Sequence, residues 1–220
     1  MKAMTKLCIF DLDGTVLYTV PTIAHYGNLA LRKNGIEAIA EEQYKYLAGN
    51  GIAALVRGML KYRGCSGEET YARVYRDYDE AYNADVTRKT RIFEGLKETL
   101  DEMKARGIAL AIVSNKPDFA ARSVVEAFYG KDYFFFVTGQ TPGGPLKPDP
   151  AVVLSVVERA DVSRQDCLYV GDTSTDMKTG KNAGIFTIGV LWGFRDATEL
   201  LENGADALAT APRDLLTFLQ

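Results

Sequence analysis

The 220-residue sequence predicts an α/β fold: a Rossmann-like parallel sheet with helices on both faces, plus an inserted all-helical cap. Three observations lead there. From about residue 92, short apolar runs alternate with amphipathic stretches of helical period. The apolar runs are continuous rather than alternating, as strands covered on both faces should be. Residues 18–89 break this rhythm and contain only helix-period segments.

Taken in order, residues 6–10 form the opening strand. Pro21 fits the first turn of a helix that runs to Asn34-Gly35, a good C-terminal stop. Residues 52–62 and 68–84 are further helices. In the last of these Tyr71, Tyr75, Tyr78 and Tyr82 fall on one face. They read as the core of a small helical domain; a sharper reading lets one or two of them reach a ligand pocket. Helix 95–106 then leads through Gly107 to strand 108–113. Helix 117–128 leads to strand 134–137, helix 150–160 to strand 167–170, and helix 174–183 to strand 185–190. A short strand at 207–209 precedes a C-terminal helix. Residues 1–17 and 90–220 are thus the expected core and 18–89 the expected cap. Linkers near 16–20 and 87–93 join the two, with no strand expected within the insertion.

The net charge of −3 gives no reason to expect nucleic acid or an anionic membrane as a partner. No apolar stretch approaches the roughly 18 residues of a membrane span, and no signal-peptide pattern is visible. Cys8, Cys65 and Cys167 are odd in number and scattered, which reads as reduced and cytoplasmic. Without a CxxC pair a zinc site is not expected. The single histidine, His25, sits in a helical pattern with no GxSxG nearby, so it reads as a cap-helix residue rather than a catalytic base.

The chemistry concentrates in four short stretches. DLDGT at 11–15 directly follows the first apolar run. It brings Asp11 and Asp13 to the carboxyl edge of the sheet, where ligands of open α/β sheets bind. Gly14 lets the chain bend at once, so each acid can take its own role. One can attack and the other can give and take a proton, and two uncompensated acids invite a divalent cation. A turn with two solvated acids would show the same letters. The other stretches are VSN at 113–115, LKPDP at 146–150 after a Gly/Pro-rich loop, and GDTSTDM at 171–177 after a third apolar run.

Together these motifs resemble the haloacid dehalogenase superfamily, over essentially the whole chain. The tail, Leu191-Trp192-Gly193-Phe194 followed by Gly204-Ala205-Asp206, looks most like its phosphoglycolate phosphatase-like members. The insertion looks like the C1-type cap of capped family members. The resemblance implies that Asp11 is a nucleophile forming an aspartyl-phosphate, with Asp13 as general acid and then base. Ser114 and Asn115 would bind phosphate at a helix start, and Lys147 would hold its ammonium over the phosphate. Asp11, the backbone carbonyl of Asp13 and Asp172 would hold Mg²⁺. Asp176 either orients a metal water or the loop, or is a first-turn helix acid. Gly49-Asn50-Gly51 resembles a cap loop facing the active site. Tyr18, Asn50 and Arg57 are candidates to face the leaving group.

The implied activity is a Mg²⁺-dependent phosphomonoester hydrolase for a small organic phosphate, with 2-phosphoglycolate the best single guess. A monomer or homodimer is expected. Tyr18-Thr19 stands where close relatives often carry Asp-Ser or Asp-Thr, so that acid is absent. A phosphomutase or a pyrophosphatase would share the core motifs. The mutase usually carries a cap histidine where this chain has Ile23, two residues before His25. A dehalogenase does not need Asp13. A phosphonate hydrolase needs a cap lysine, for which Lys45 is the candidate.

Overall fold

The computed structural model describes residues 4–219. The chain opens with β1 (Leu7–Phe10) and a two-residue strand β2 (Leu17–Tyr18), then runs through α1 (Val20–Lys33), α2 (Tyr44–Leu47), α3 (Gly51–Tyr62) and α4 (Glu68–Ala84). A second two-residue strand, β3 (Arg91–Ile92), returns it to the core. There follow α5 (Leu96–Ala105), β4 (Ala109–Pro117), α6 (Asp118–Tyr129), β5 (Phe136–Gln140), α7 (Ala151–Arg159), β6 (Cys167–Gly171), α8 (Ser174–Ala183), β7 (Phe186–Val190), α9 (Ala197–Glu202) and β8 (Ala207–Ala209).

The main sheet has the order β5-β4-β1-β6-β7-β8, and every pairing in it is parallel. Successive residues of β1 enter different apolar clusters. Leu7 and Ile9 pack with Val153, Val156 and Ala183 of α7 and α8. Cys8 and Phe10 join Leu100 of α5 and Val124 of α6. Helices cover both faces, which is why the strand reads as an unbroken apolar run. The second cluster continues without a break into the helical insertion through Val20, Ile23 and Tyr82.

The structure departs from the expected elements in three places. The two linkers pair with each other, Leu17 opposite Ile92 and Tyr18 opposite Arg91, as an antiparallel ribbon. Two-residue strands carry no readable period. The segment 114–116 belongs to β4 and not to the start of α6: the register shifts between Val113 and Pro117, and Pro117 pairs with Gln140. Gly139 permits this, because a Cβ there would lie 2.4 Å from the Lys116 carbonyl oxygen. The C-terminal helix is a 3₁₀ helix, Pro212–Phe218, started by Pro212.

Helix α8 carries one end of the site and is seated on β7 by Gly180. A Cβ at this position would come within 2.0 Å of Thr187 Oγ1, which donates to the Ile185 carbonyl and is itself buried. Gly180→Ala gains about 1 kcal/mol of helix propensity. Overpacking costs about 1–3 kcal/mol and should win. The expected outcome is a net loss of up to about 2 kcal/mol, read as a lower urea midpoint at unchanged slope.

Candidate active site

Three neighbouring strands, β4, β1 and β6, deliver their carboxyl ends to one place. Asp11 follows β1, the 114–116 bulge ends β4, and Asp172 follows β6. Asp11, Asp172 and Asp176 are all buried, and each offers a carboxylate oxygen within 4.8 Å of the others. Lys147 enters from the loop after β5. Its ammonium lies 2.5 Å from Asp11 Oδ1 and 2.7 Å from Asp176 Oδ1.

Each acid is held from behind. Thr15 Oγ1 donates to Asp172 Oδ1 at 2.9 Å, and the Phe194 backbone N–H donates to Asp172 Oδ2 at 2.7 Å. Two glycines leave room for this carboxylate. A Cβ on Gly14, at φ +93, would lie 2.2 Å from Asp172 Oδ2, and one on Gly193 would lie 2.3 Å from Asp172 Cβ. Trp192 Nε1 donates to the Thr15 carbonyl, closing the bracket. The 191–194 tail therefore builds the site, a task its sequence did not reveal. Asp176 takes part in a capping box with Thr173 at the start of α8, and Tyr169 OH also donates to it. Asp176 is thus the first-turn acid of α8, and the same carboxylate is also paired with Lys147.

Asn115 is engaged as well. Its Nδ2 donates to the Gly49 and Lys147 carbonyls, and its Oδ1 accepts from the Lys147 backbone N–H at 2.9 Å. The side chain positions Lys147 and ties it to the insertion, and Asn115 lines the pocket beside Ser114. Ser114 is buried at the pocket wall, where its Oγ accepts from the Lys116 N–H. The residue that sequence reasoning missed is Lys116. Its ammonium lies 2.8 and 3.0 Å from the two Asp13 oxygens. The bulge in β4 aims it there, and a bulge of this kind leaves no hydrophobic signature.

The insertion covers the pocket with Ile23, Gly49, Gly51, Ile52, Tyr78 and Tyr82. Two of the four aligned tyrosines thus reach the site. The Gly49–Gly51 turn does face it, and Asn50 Oδ1 accepts a hydrogen bond from Thr175 Oγ1 of α8. Arg57 lies elsewhere, exposed, paired with Glu68 and stacked on Tyr71. Tyr18 packs under Arg91 and against Phe93. Lys45 is paired with Glu42, and His25 lines a separate cavity with Arg32 and Lys89. None of these four lines the pocket over Asp11.

Burial pushes the Asp11 carboxyl up to about 7; Asp176 adds to this and Lys147 opposes it. Asp172 is held well above the carboxylate range, first by burial, then by Asp176 and Asp11. Burial alone would lower Lys147, but Asp11 and Asp176 outweigh it and hold the ammonium above its ordinary range. Such a crowded acid set has the donor chemistry of a site for a hard divalent cation, which would favour the ionised forms. The two glycine cradles around Asp172 fit that reading.

These shifts have a sign in stability. Without metal, the native state keeps protons on Asp11 and Asp172 that the unfolded chain releases near pH 4. Between about pH 4 and about pH 7 the native state therefore binds more protons, and stability falls as pH rises through that window. Thermal melts of chelator-treated protein at about pH 5 and about pH 7.5 should show this fall, and Asp11→Asn should show a smaller one. Parallel behaviour of the two proteins would contradict the shift assigned to Asp11.

Comparison with known proteins gives a consistent relationship. The haloacid dehalogenase-like hydrolase family matches residues 8–190. Phosphoglycolate phosphatase 1 of Pseudomonas aeruginosa is 32% identical over 218 residues, covering 97% of this chain and 79% of that protein. A phosphoglycolate phosphatase of Vibrio parahaemolyticus is 30% identical, covering 96% of this chain and 94% of that one. The crystal structure of a candidate phosphoglycolate phosphatase from Lactobacillus delbrueckii superposes with a TM-score of 0.91 at 28% identity, covering 100% of this chain and 99% of that one. With the fold, the acid cluster and the relatives in agreement, the chain belongs to the haloacid dehalogenase-like hydrolases and is a phosphatase of the phosphoglycolate phosphatase-like group.

Proposed function

We propose that this phosphatase is Mg²⁺-dependent and cleaves a small organic phosphate monoester through an aspartyl-phosphate on Asp11, with 2-phosphoglycolate the best candidate. The observation that carries the reading is the Asp11 carboxylate clamped by Lys147 beside Asp172, with Asp13 held separately by Lys116. Phosphate monoesters resist attack because both oxygens in line meet negative charge, so catalysis is positioning and charge neutralisation. Asp11 attacks phosphorus while Lys147 and Ser114 take up charge on the phosphoryl oxygens. Asp13 gives its proton to the leaving oxygen. It then takes a proton from the water that attacks the phosphorus of the aspartyl-phosphate, which releases inorganic phosphate and restores Asp11. Asp11, the Asp13 carbonyl and Asp172 would hold Mg²⁺, which supplies Lewis-acid charge to the phosphoryl group when bound.

The helical insertion acts in this reading as a lid hinged on the β2–β3 ribbon, expelling water on closing. The cavity beneath it is about 50 Å³. On the insertion side its walls are mostly apolar, with Ile23, Ile52 and Leu55 beside Tyr78 and Tyr82. The names of the relatives support 2-phosphoglycolate specifically. Ile23 at the pocket wall argues against a mutase, and Lys45 away from the pocket argues against a phosphonate hydrolase. Three free cysteines suit a reducing cytoplasm.

Phosphate release from 2-phosphoglycolate, a hexose phosphate, pyrophosphate and a nucleotide, with Mg²⁺, Ca²⁺ or chelator, tests the reading. Release should be greatest from 2-phosphoglycolate with Mg²⁺, poor with Ca²⁺ and lost with chelator. Asp11→Asn should fold and lose about 1000-fold in turnover, equivalent to about 4 kcal/mol of barrier. Full activity in chelator, or more than about a tenth of wild-type turnover in Asp11→Asn, would contradict it.

A further inference from the structure

Phosphate transfer accounts for Lys147 but not for Lys116. Each lysine serves a different acid: Lys147 is paired with Asp11 and Asp176, Lys116 with Asp13. Both are buried. Lys116 is brought in deliberately by the β4 register shift, and Gly139 makes the space for it. An ammonium has three N–H donors, and the two Asp13 oxygens occupy two of them. Tyr82 of α4 lies beside it, its ring centroid 4.9 Å from Lys116 Nζ, and is stacked on Tyr78. The Tyr82 hydroxyl is buried and has no hydrogen-bond partner among the described residues. Elsewhere the insertion lines this pocket with apolar Ile23, Ile52 and Leu55.

We propose that Lys116 and Tyr82 form an anion subsite that receives a carboxylate on the leaving group of the ester. The claim rests on the phosphatase reading and deepens it: the substrate class is a small phosphate monoester with a carboxylate close to the ester oxygen. A buried cation with a spare donor and a buried hydroxyl without a partner accept a carboxylate well. They hold a neutral group less well, because it brings no charge to match the buried ammonium. The carboxylate takes the spare Lys116 donor and loosens the hold on Asp13. This frees Asp13 to turn towards the leaving oxygen. Lys116 is therefore a specificity-determining residue, and its pairing with Asp13 joins recognition to the acid.

The test compares 2-phosphoglycolate with 2-hydroxyethyl phosphate, in which a neutral alcohol replaces the carboxylate. kcat and KM are measured for both in wild type, Lys116→Met, Lys116→Arg and Tyr82→Phe. Wild type should prefer the carboxylate ester. Lys116→Met should lose about 30-fold more kcat/KM on that ester than on the neutral one, mostly through KM. Lys116→Arg should restore part of the preference. Tyr82→Phe should reduce it by about 5-fold with the melting temperature preserved. If Lys116→Met fails to fold, Tyr82→Phe carries the same comparison. Equal losses on both esters would overturn the subsite, leaving Lys116 as a support for Asp13. Wild type that cleaves both esters equally would overturn the subsite and leave the phosphatase reading intact. Wild type that cleaves neither would overturn both.

Discussion

Four carboxylates and two ammonium groups share one end of a parallel sheet, and much of the local structure exists to keep them there. Asp11, Asp172 and Asp176 are buried together, Asp13 lies close by, and Lys147 and Lys116 are the ammonium groups paired with them. With every group ionised the set keeps an excess of two negative charges, in surroundings that penalise each of them. The protein meets this with directed hydrogen bonds from Thr15, Thr173, Tyr169 and the Phe194 backbone. It also uses glycines at 14, 171 and 193, where a side chain would collide with Asp172 or Asp176. The remaining imbalance is what a divalent cation would offset on arrival.

That constraint divides the molecule by task. The sheet supplies rigid strand ends, so the acids reach the site at fixed spacing. The helical insertion brings mostly apolar surface and the Tyr78–Tyr82 pair over it. Contact between the two passes through few polar links: Asn115 to Gly49, Thr175 to Asn50, Arg195 to the Lys45 carbonyl. The rest of the contact is apolar, because the core cluster runs on into the insertion through Val20, Ile23 and Tyr82.

Much of this was legible in the sequence because its signals are local. Asp11, Asp13, Lys147, Asp172 and Asp176 stand in short motifs at the ends of apolar runs, and the structure gathers all five. What escaped is what depends on register or on distant chain. Lys116 is turned inward by an irregularity in β4 that only pairing with β5 creates. The role of Phe194 and Trp192 depends on the end of β7 lying beside β6 and the 14–15 turn. Arg57 was drawn in by its chemistry, but helix phase points it at Glu68 and Tyr71. The paired linkers were too short for any pattern to show.

The central claim is that the buried Asp11 carboxylate becomes the phosphoryl carrier. Rapid acid quench of enzyme turning over 2-phosphoglycolate with Mg²⁺, followed by peptide mass spectrometry, tests it most directly. The account predicts one phosphoryl group on the peptide containing residues 7–15, assigned to Asp11 by fragmentation and absent from Asp11→Asn. A phosphoryl group on Asp13, or phosphate release at full rate with no labelled peptide at any quench time, would contradict it.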